Sequence, residues 1–186
     1  MTKQHSLKSR IVRLMAVTVL TTSAIGGVSL ATNPTVNAAQ AKTQDIKISQ
    51  KQAVKKFQKE FKDAKISEIT LEPKGNRYQY QIDGFDKEQE HTAAINAKTG
   101  KITWSHSSKL DKDDANSALD LNKTISRKTA NKLAEKEAKQ GQGQKWTLEN
   151  DEGKQTWEVE VVDSSQTTEV KIDALNQDII SSEVDH

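Results

Sequence analysis

From Lys47 onward the apolar positions of this chain change their period twice. Val54, Phe57, Phe61 and Ala64 recur at helical spacing among Lys and Gln residues, which predicts a helix with one apolar stripe. Ser49 and Gln52 form a capping-box pattern at its start, and Ile48 and Ala53 can close a hydrophobic staple around it. The period then falls to two. Ile69 and Leu71, then Tyr78, Tyr80 and Ile82, then Ala93 and Ile95, then Ile102 and Trp104 alternate with polar residues, which predicts strands buried on one face. Breaks fall at Pro73 to Asn76, at Asp83-Gly84 and at Lys98-Thr99-Gly100.

The plan then repeats. Ser126 caps a second stripe of Ala130, Leu133, Ala134 and Ala138, and strands follow at Trp146 and Leu148, Trp157 to Val161, Val170 and Ile172, then Ile179 and Val184. An offset of 77 places Ile48 on Ile125, Ala53 on Ala130, Leu71 on Leu148 and Asn96-Ala97 on Asp173-Ala174. Matching Tyr78 to Trp157 needs two inserted residues and a compensating loss. The fold class expected is α+β, as two tandem two-layer units, each with one helix packed on an antiparallel sheet of three or four strands. The units span residues 47–104 and 124–184. A polar linker, 105–123, lies between them as a solvated spacer or a short helix around Asp113 to Leu121.

The first 38 residues differ from the rest. Lys3, Lys8, Arg10 and Arg13 precede an apolar run from Leu14 to Ala31, and small residues follow. This reads as a secretory signal peptide cleaved after Ala38 or Ala41, with 39–46 as a flexible segment. The whole chain has 28 Lys and Arg against 26 Asp and Glu; without those four basic residues the balance is 24 against 26, or −2. No overall attraction to nucleic acid is left. There is no cysteine, which excludes disulfides, thiol nucleophiles and thiolate metal sites, and suggests a Gram-positive exporter.

The stretch Ile95 to Ile102, INAKTGKI, has a Gly-Lys pair, but a phosphate loop needs glycine where Ile95 stands and a hydroxyl where Ile102 stands. It reads as a hairpin turn. A calcium loop from Asp111 fails at Ala115, Asn116 and Asn122. Outside the first 38 residues the histidines are His91, His106 and His186, without metal-binding spacing, and His91 reads as a solvent-facing strand residue. No catalytic, cofactor or metal residues are assigned, and the chain reads as a non-enzyme. Tyr78, Tyr80 and Trp157 read as core, and Trp104 and Trp146 are open. The polar strand faces carry Arg77, Gln79 and Gln81 in the first unit and Thr156, Glu158 and Glu160 in the second, the candidate partner face.

The strand YQYQIDG and the closing NAKTGKI, with TWEVEVVD and IDALNQDI in the second copy, resemble the PepSY domain. Asn96 replaces the usual aspartate of its closing motif, and Asn176-Gln177 replace Thr-Gly. The resemblance implies tandem secreted binding or regulatory domains with no catalytic residues and an extracellular protein partner, a peptidase among the candidates. The alternative is a cell-envelope module for wall polymer or cations. No membrane span is expected after cleavage.

Overall fold

The computed structural model describes residues 41–110, 118–151, 153–164 and 166–185. The signal-peptide reading of residues 1–38 and the calcium-loop residues 111–117 lie outside them. After a short turn at Thr43–Asp45 come α1 (Gln50–Glu60), β1 (Lys65–Lys74), β2 (Arg77–Phe85), β3 (Gln89–Asn96) and β4 (Ile102–Lys109). The second copy supplies α2 (Arg127–Ala138), β5 (Gln142–Asp151), β6 (Lys154–Val162), β7 (Thr167–Asp173) and β8 (Ile179–Asp185). β4 therefore extends through Lys109, into the stretch read as linker. Leu119 N–H donates to the Ile66 carbonyl at 2.7 Å, and Asp120 N–H to Gln155 Oε1 at 2.6 Å, so the far end of that stretch is docked on the domain.

The helix starts form as their sequences predict. Gln52 N–H donates to Ser49 Oγ and Ser49 N–H to Gln52 Oε1, which completes the capping box. Ser126 Oγ accepts from Thr129 N–H at 3.1 Å. α1 stops at Glu60, so Phe61 and Ala64 belong to its exit and still pack inward.

The expectation of two separate sheets is corrected. All eight strands form one antiparallel sheet in the order β4-β3-β2-β1-β5-β6-β7-β8. The reason is that the first strand of each copy uses one edge for its hairpin and leaves the other with unpaired backbone groups. β1 and β5 satisfy each other. Their register pairs Ile69 with Leu148, Thr70 with Thr147 and Leu71 with Trp146. Because residues 69, 70 and 71 correspond to 146, 147 and 148, this pairing is symmetric about a local two-fold axis between the threonines. Thr70 Oγ1 and Thr147 Oγ1 lie 3.2 Å apart there and hydrogen-bond, both buried. Each of these strands carries three consecutive buried residues, where strict alternation predicts two.

The inserted pair between Tyr78 and Trp157 is also corrected. Leu71 pairs with Tyr80 and Leu148 with Trp157, so Tyr80 and Trp157 are equivalent and the offset of 77 continues unbroken through the hairpin. Tyr80 Oη donates to the Ile48 carbonyl and Trp157 Nε1 to the Ile125 carbonyl, at 3.1 and 3.0 Å. Both tie the segment before a helix to the sheet. Tyr78 corresponds to Gln155, and the Ala97 and Ala174 amides donate to their respective carbonyls.

Both helices cover the same face. Ala53, Val54 and Phe57 of α1 and Ala130 and Ala134 of α2 pack on Ile69, Leu71, Tyr80, Ile82, Trp146, Leu148, Trp157 and Val159. Burial of this continuous apolar layer is the main favourable contribution to folding. Tyr78 and Trp146 belong to the same layer, with ring centroids 6.0 Å apart. Burial pushes the Tyr78 hydroxyl up to about 12, with Arg127 opposing. Arg127 also lies 4.6 Å from the centre of the Trp146 ring, a cation–π contact.

Candidate binding surface

Alternation along the strands sends the remaining side chains to the helix-free face. The predicted Arg77, Gln79 and Gln81 stand there, Arg77 exposed and the two glutamines half-buried. Glu158 and Glu160 stand there too, both half-buried. Thr156 shares the face but is buried at 1% exposure, and its Oγ1 has no partner. It lies beneath the diagonal from Asp151 on β5 to Lys171 on β7, an ion pair of 2.6 Å that crosses β6. Thr156 is therefore a floor residue that a partner cannot reach. With the corrected offset, Gln79 is equivalent to Thr156, Gln81 to Glu158 and Asp83 to Glu160.

The register brings together acids that lie far apart in sequence. Glu68 opposes Glu149 across the seam between the copies and Asp83 on its other side. Glu158 lies between Thr147 and Lys171, and Glu160 between Lys145 and Glu169. Lys145 Nζ reaches Glu160 at 2.6 Å. Burial raises the Glu158 carboxyl above its ordinary range, and Glu149 and Glu160 add to the rise against Lys145 and Lys171. Burial also raises Asp83, although Thr92 Oγ1 and Gln81 Nε2 donate hydrogen bonds to it. Trp104, 48% exposed, stacks near His106 at the β4 edge of this face, with ring centroids 5.9 Å apart. Trp146 is core.

The helix layer carries the opposite sign. Lys51, Lys55, Lys56 and Lys59 on α1 and Lys128, Lys132 and Lys136 on α2 are exposed. A near-neutral chain is thus polarised, acidic on the open sheet and basic on the helices.

His91 corrects the solvent-facing reading. It is 5% exposed, stacked on Phe61 at 4.4 Å, with Nδ1 2.8 Å from Ser107 Oγ and Nε2 3.0 Å from Asp86 Oδ2. The Asp86 carboxylate also accepts from the Glu88 and Gln89 amides, and these bonds, the Glu88 amide first and then His91, hold it down at about 2. This Ser–His–Asp row joins the β2–β3 turn to the edge strand β4. The imidazole is clamped at both nitrogens beneath a phenyl ring, which suits a strut. Sequence spacing hides it, because 5 and 16 residues separate His91 from its two partners.

The INAKTGKI stretch forms the expected turn. Asn96 Oδ1 accepts from the Lys98 and Thr99 amides, and Gly100 has φ +71. Asp173 Oδ1 accepts from the Leu175 and Asn176 amides in the second copy, and Gln177 takes the left-handed position at φ +73. Among the described residues no group of three or more His, Cys, Asp or Glu side chains is arranged to hold a metal, and no helix is long and apolar enough to cross a membrane.

No curated protein matches the chain. A crystal structure from Clostridium difficile 630, of a protein described as a candidate lipoprotein, is similar with a TM-score of 0.70 and 26% identity. The match covers 79% of this chain and 99% of that one, more than a single copy could supply, so the tandem arrangement is shared. The profile described as "Peptidase propeptide and YPEB domain", PepSY, matches residues 47–103 and 124–183. The two matches coincide with the two copies that the hydrogen bonds superpose, and the chain belongs to the PepSY family.

Proposed function

We propose that this is an exported, non-catalytic regulatory protein that binds a protein partner outside the cytoplasm through its helix-free sheet face, with a peptidase as the favoured class of partner. The observation that carries this reading is the acidic face built jointly by both copies across the β1–β5 seam, centred on Glu68, Glu149 and Glu158. Half-buried carboxylates on a wide sheet suit a basic protein surface, since complementary charge gives orientation and association rate. The PepSY match supports a propeptide-like or regulatory role.

The test is co-purification and inhibition with the secreted peptidases of the host. A complex should form and be weakened by Glu149→Lys with Glu160→Lys, but not by Lys-to-Gln changes on α1. If no peptidase is retained or inhibited, the peptidase reading falls.

A second reading has its own support. The exposed lysines of both helices suit an anionic wall polymer, and the structural neighbour is described as a candidate lipoprotein. Binding to isolated cell wall should then fall with salt and with Lys-to-Gln changes on α1 and α2. Wall binding unchanged by those substitutions removes it.

A further inference from the structure

The side chains that brace β4 against the β2–β3 turn stand in the order of groups that activates a serine. The Asp86 carboxyl is held at about 2 by the Glu88 amide, His91 and the Gln89 amide, so at neutral pH it only accepts hydrogen bonds. It lies 3.0 Å from His91 Nε2 and places the proton of the neutral ring on that nitrogen, which leaves Nδ1 as an acceptor. The group 2.8 Å from Nδ1 is the Ser107 hydroxyl, which therefore donates. A hydroxyl that donates to a fixed imidazole is set to pass its proton to it. His91 is buried under Phe61 while Ser107 is exposed, so the base is shielded and the oxygen is open to solvent. The second copy shows that packing does not demand this row. Thr168 and Val184 stand at the positions of His91 and Ser107, and the turn before them still closes with Asp163 accepting from the Gln166 amide.

The strand geometry supplies the rest. Leu110 N–H donates to the Glu88 carbonyl at 2.9 Å, and His91 is opposite Ser107 three positions along the same ladder. Hydrogen-bonded and non-bonded pairs alternate in an antiparallel ladder, so His91 and Ser107 form a non-bonded pair, whose side chains stand closest and whose amides point away from each other. β4 is a terminal strand, and the Ser107 N–H therefore faces the open edge, beside its own hydroxyl. Ser107 also opens on a groove of about 620 Å³ that Lys87, Lys109 and Leu110 help to line. We infer that Ser107 is a nucleophile that takes a short acyl group from an activated ester, with His91 as its base and Asp86 positioning that base. Ser107 Oγ attacks the carbonyl carbon as its proton passes to His91 Nδ1. The oxyanion that forms meets the Ser107 N–H and the cationic side chains of the groove. The bond to the alcohol then breaks, the alcohol leaves with the proton from Nδ1, and the acyl group stays on Oγ. One ester and one hydroxyl give one acyl-serine and one alcohol. This is a single modification of the chain, without turnover, on the helix side of the sheet, and it is independent of the partner face opposite.

The test treats the protein with p-nitrophenyl acetate at neutral pH and maps acetylation by mass spectrometry before and after neutral hydroxylamine, which cleaves a serine ester and spares lysine amides. Ser107 should carry a hydroxylamine-sensitive acetyl group, formed about 100-fold or more faster than on the exposed Ser105 of the same strand. Ser107→Ala should lose that ester and keep the lysine amides. Asp86→Asn should slow ester formation by about tenfold or more. Nitrogen NMR of the His91 ring should show the Nε2–H tautomer in the parent and lose it in Asp86→Asn, a change that a purely structural aspartate would not produce. Ser107 no faster than Ser105, an unchanged rate in Asp86→Asn, or the Nδ1–H tautomer in the parent would each overturn the inference. A protein partner retained equally by the parent and by Ser107→Ala leaves the functional reading standing whichever way the acylation result falls.

Discussion

The first copy buries Phe57 against Gly84; the second puts Ala134 and Val161 at those two positions. A Cβ on Gly84 would lie 2.4 Å from the Lys65 carbonyl oxygen and 3.0 Å from the Phe57 ring, so the strand backbone excludes a side chain there first and the phenyl ring second. Across the strand pair the exchange appears again. Ile66 is opposite Gly84 on β1 and β2, whereas Gly143 is opposite Val161 on β5 and β6. Gly143 in turn makes room first for Asn131, whose Oδ1 a Cβ there would approach to 2.0 Å and which accepts from Trp146 Nε1, and then for the Trp146 ring at 3.1 Å; Ile69 stands at the equivalent of Trp146. Each copy reaches a packed interior by a different distribution of volume over one backbone. Close packing constrains summed volume and shape more tightly than residue identity at one position.

The largest expected effect tests this exchange. Gly84→Val should cost about 3 kcal/mol or more through overpacking and backbone displacement, and Phe57→Ala a similar amount through the cavity it leaves. Combined with Ile66→Gly, which copies the second repeat, the triple variant should recover part of the summed loss in a denaturant titration. Strict additivity of the three costs would mean that the volumes are not coupled.

A smaller difference separates the two straps over the helix starts. Tyr80→Phe deletes the hydrogen bond to Ile48 and should cost about 1 kcal/mol. Trp157→Phe loses the bond to Ile125 together with part of a fully buried ring, so thermal melts should show the larger drop for it.

The closing turns should respond in opposite directions. Gly100→Gln should destabilise by about 1 kcal/mol, because a side chain at φ +71 is strained, and Gln177→Gly should stabilise by up to about 1 kcal/mol. Two shifts of the same sign would break the equivalence of these turns.

Acid titration gives the smallest effects. The Asp86 carboxyl is held at about 2 in the folded protein against 3.8 ordinarily, so it favours folding above that ordinary value and loses this contribution as pH falls from about 4 to 2. Asp163, its counterpart, accepts from the Gln166 amide, and Thr168 stands at the position equivalent to His91. Asp86→Asn should therefore flatten the acid limb of the stability curve. Glu158 behaves with the opposite sign. Its folded pKa is raised, so its charge opposes folding at neutral pH, and Glu158→Gln should raise the melting temperature at pH 7 with little change near pH 3.

The sequence by itself determined the elements: both capped helices, the strands of each copy, and the paired turns at Asn96 and Asp173. These depend on short-range rules, a cap three residues from its amide and a side-chain period of 3.6 or 2, which leave direct marks in the residue order. It also pointed to the open sheet face, since alternation alone separates Gln79 and Gln81 from Tyr78 and Tyr80. Only the tertiary structure decided that the two sheets are one, that Tyr80 matches Trp157, that Thr156 lies under an ion pair and that His91 is a buried strut. Each of these depends on partners brought together by strand register. An edge strand and an interior strand can share one residue pattern until a second edge satisfies the backbone groups of the first.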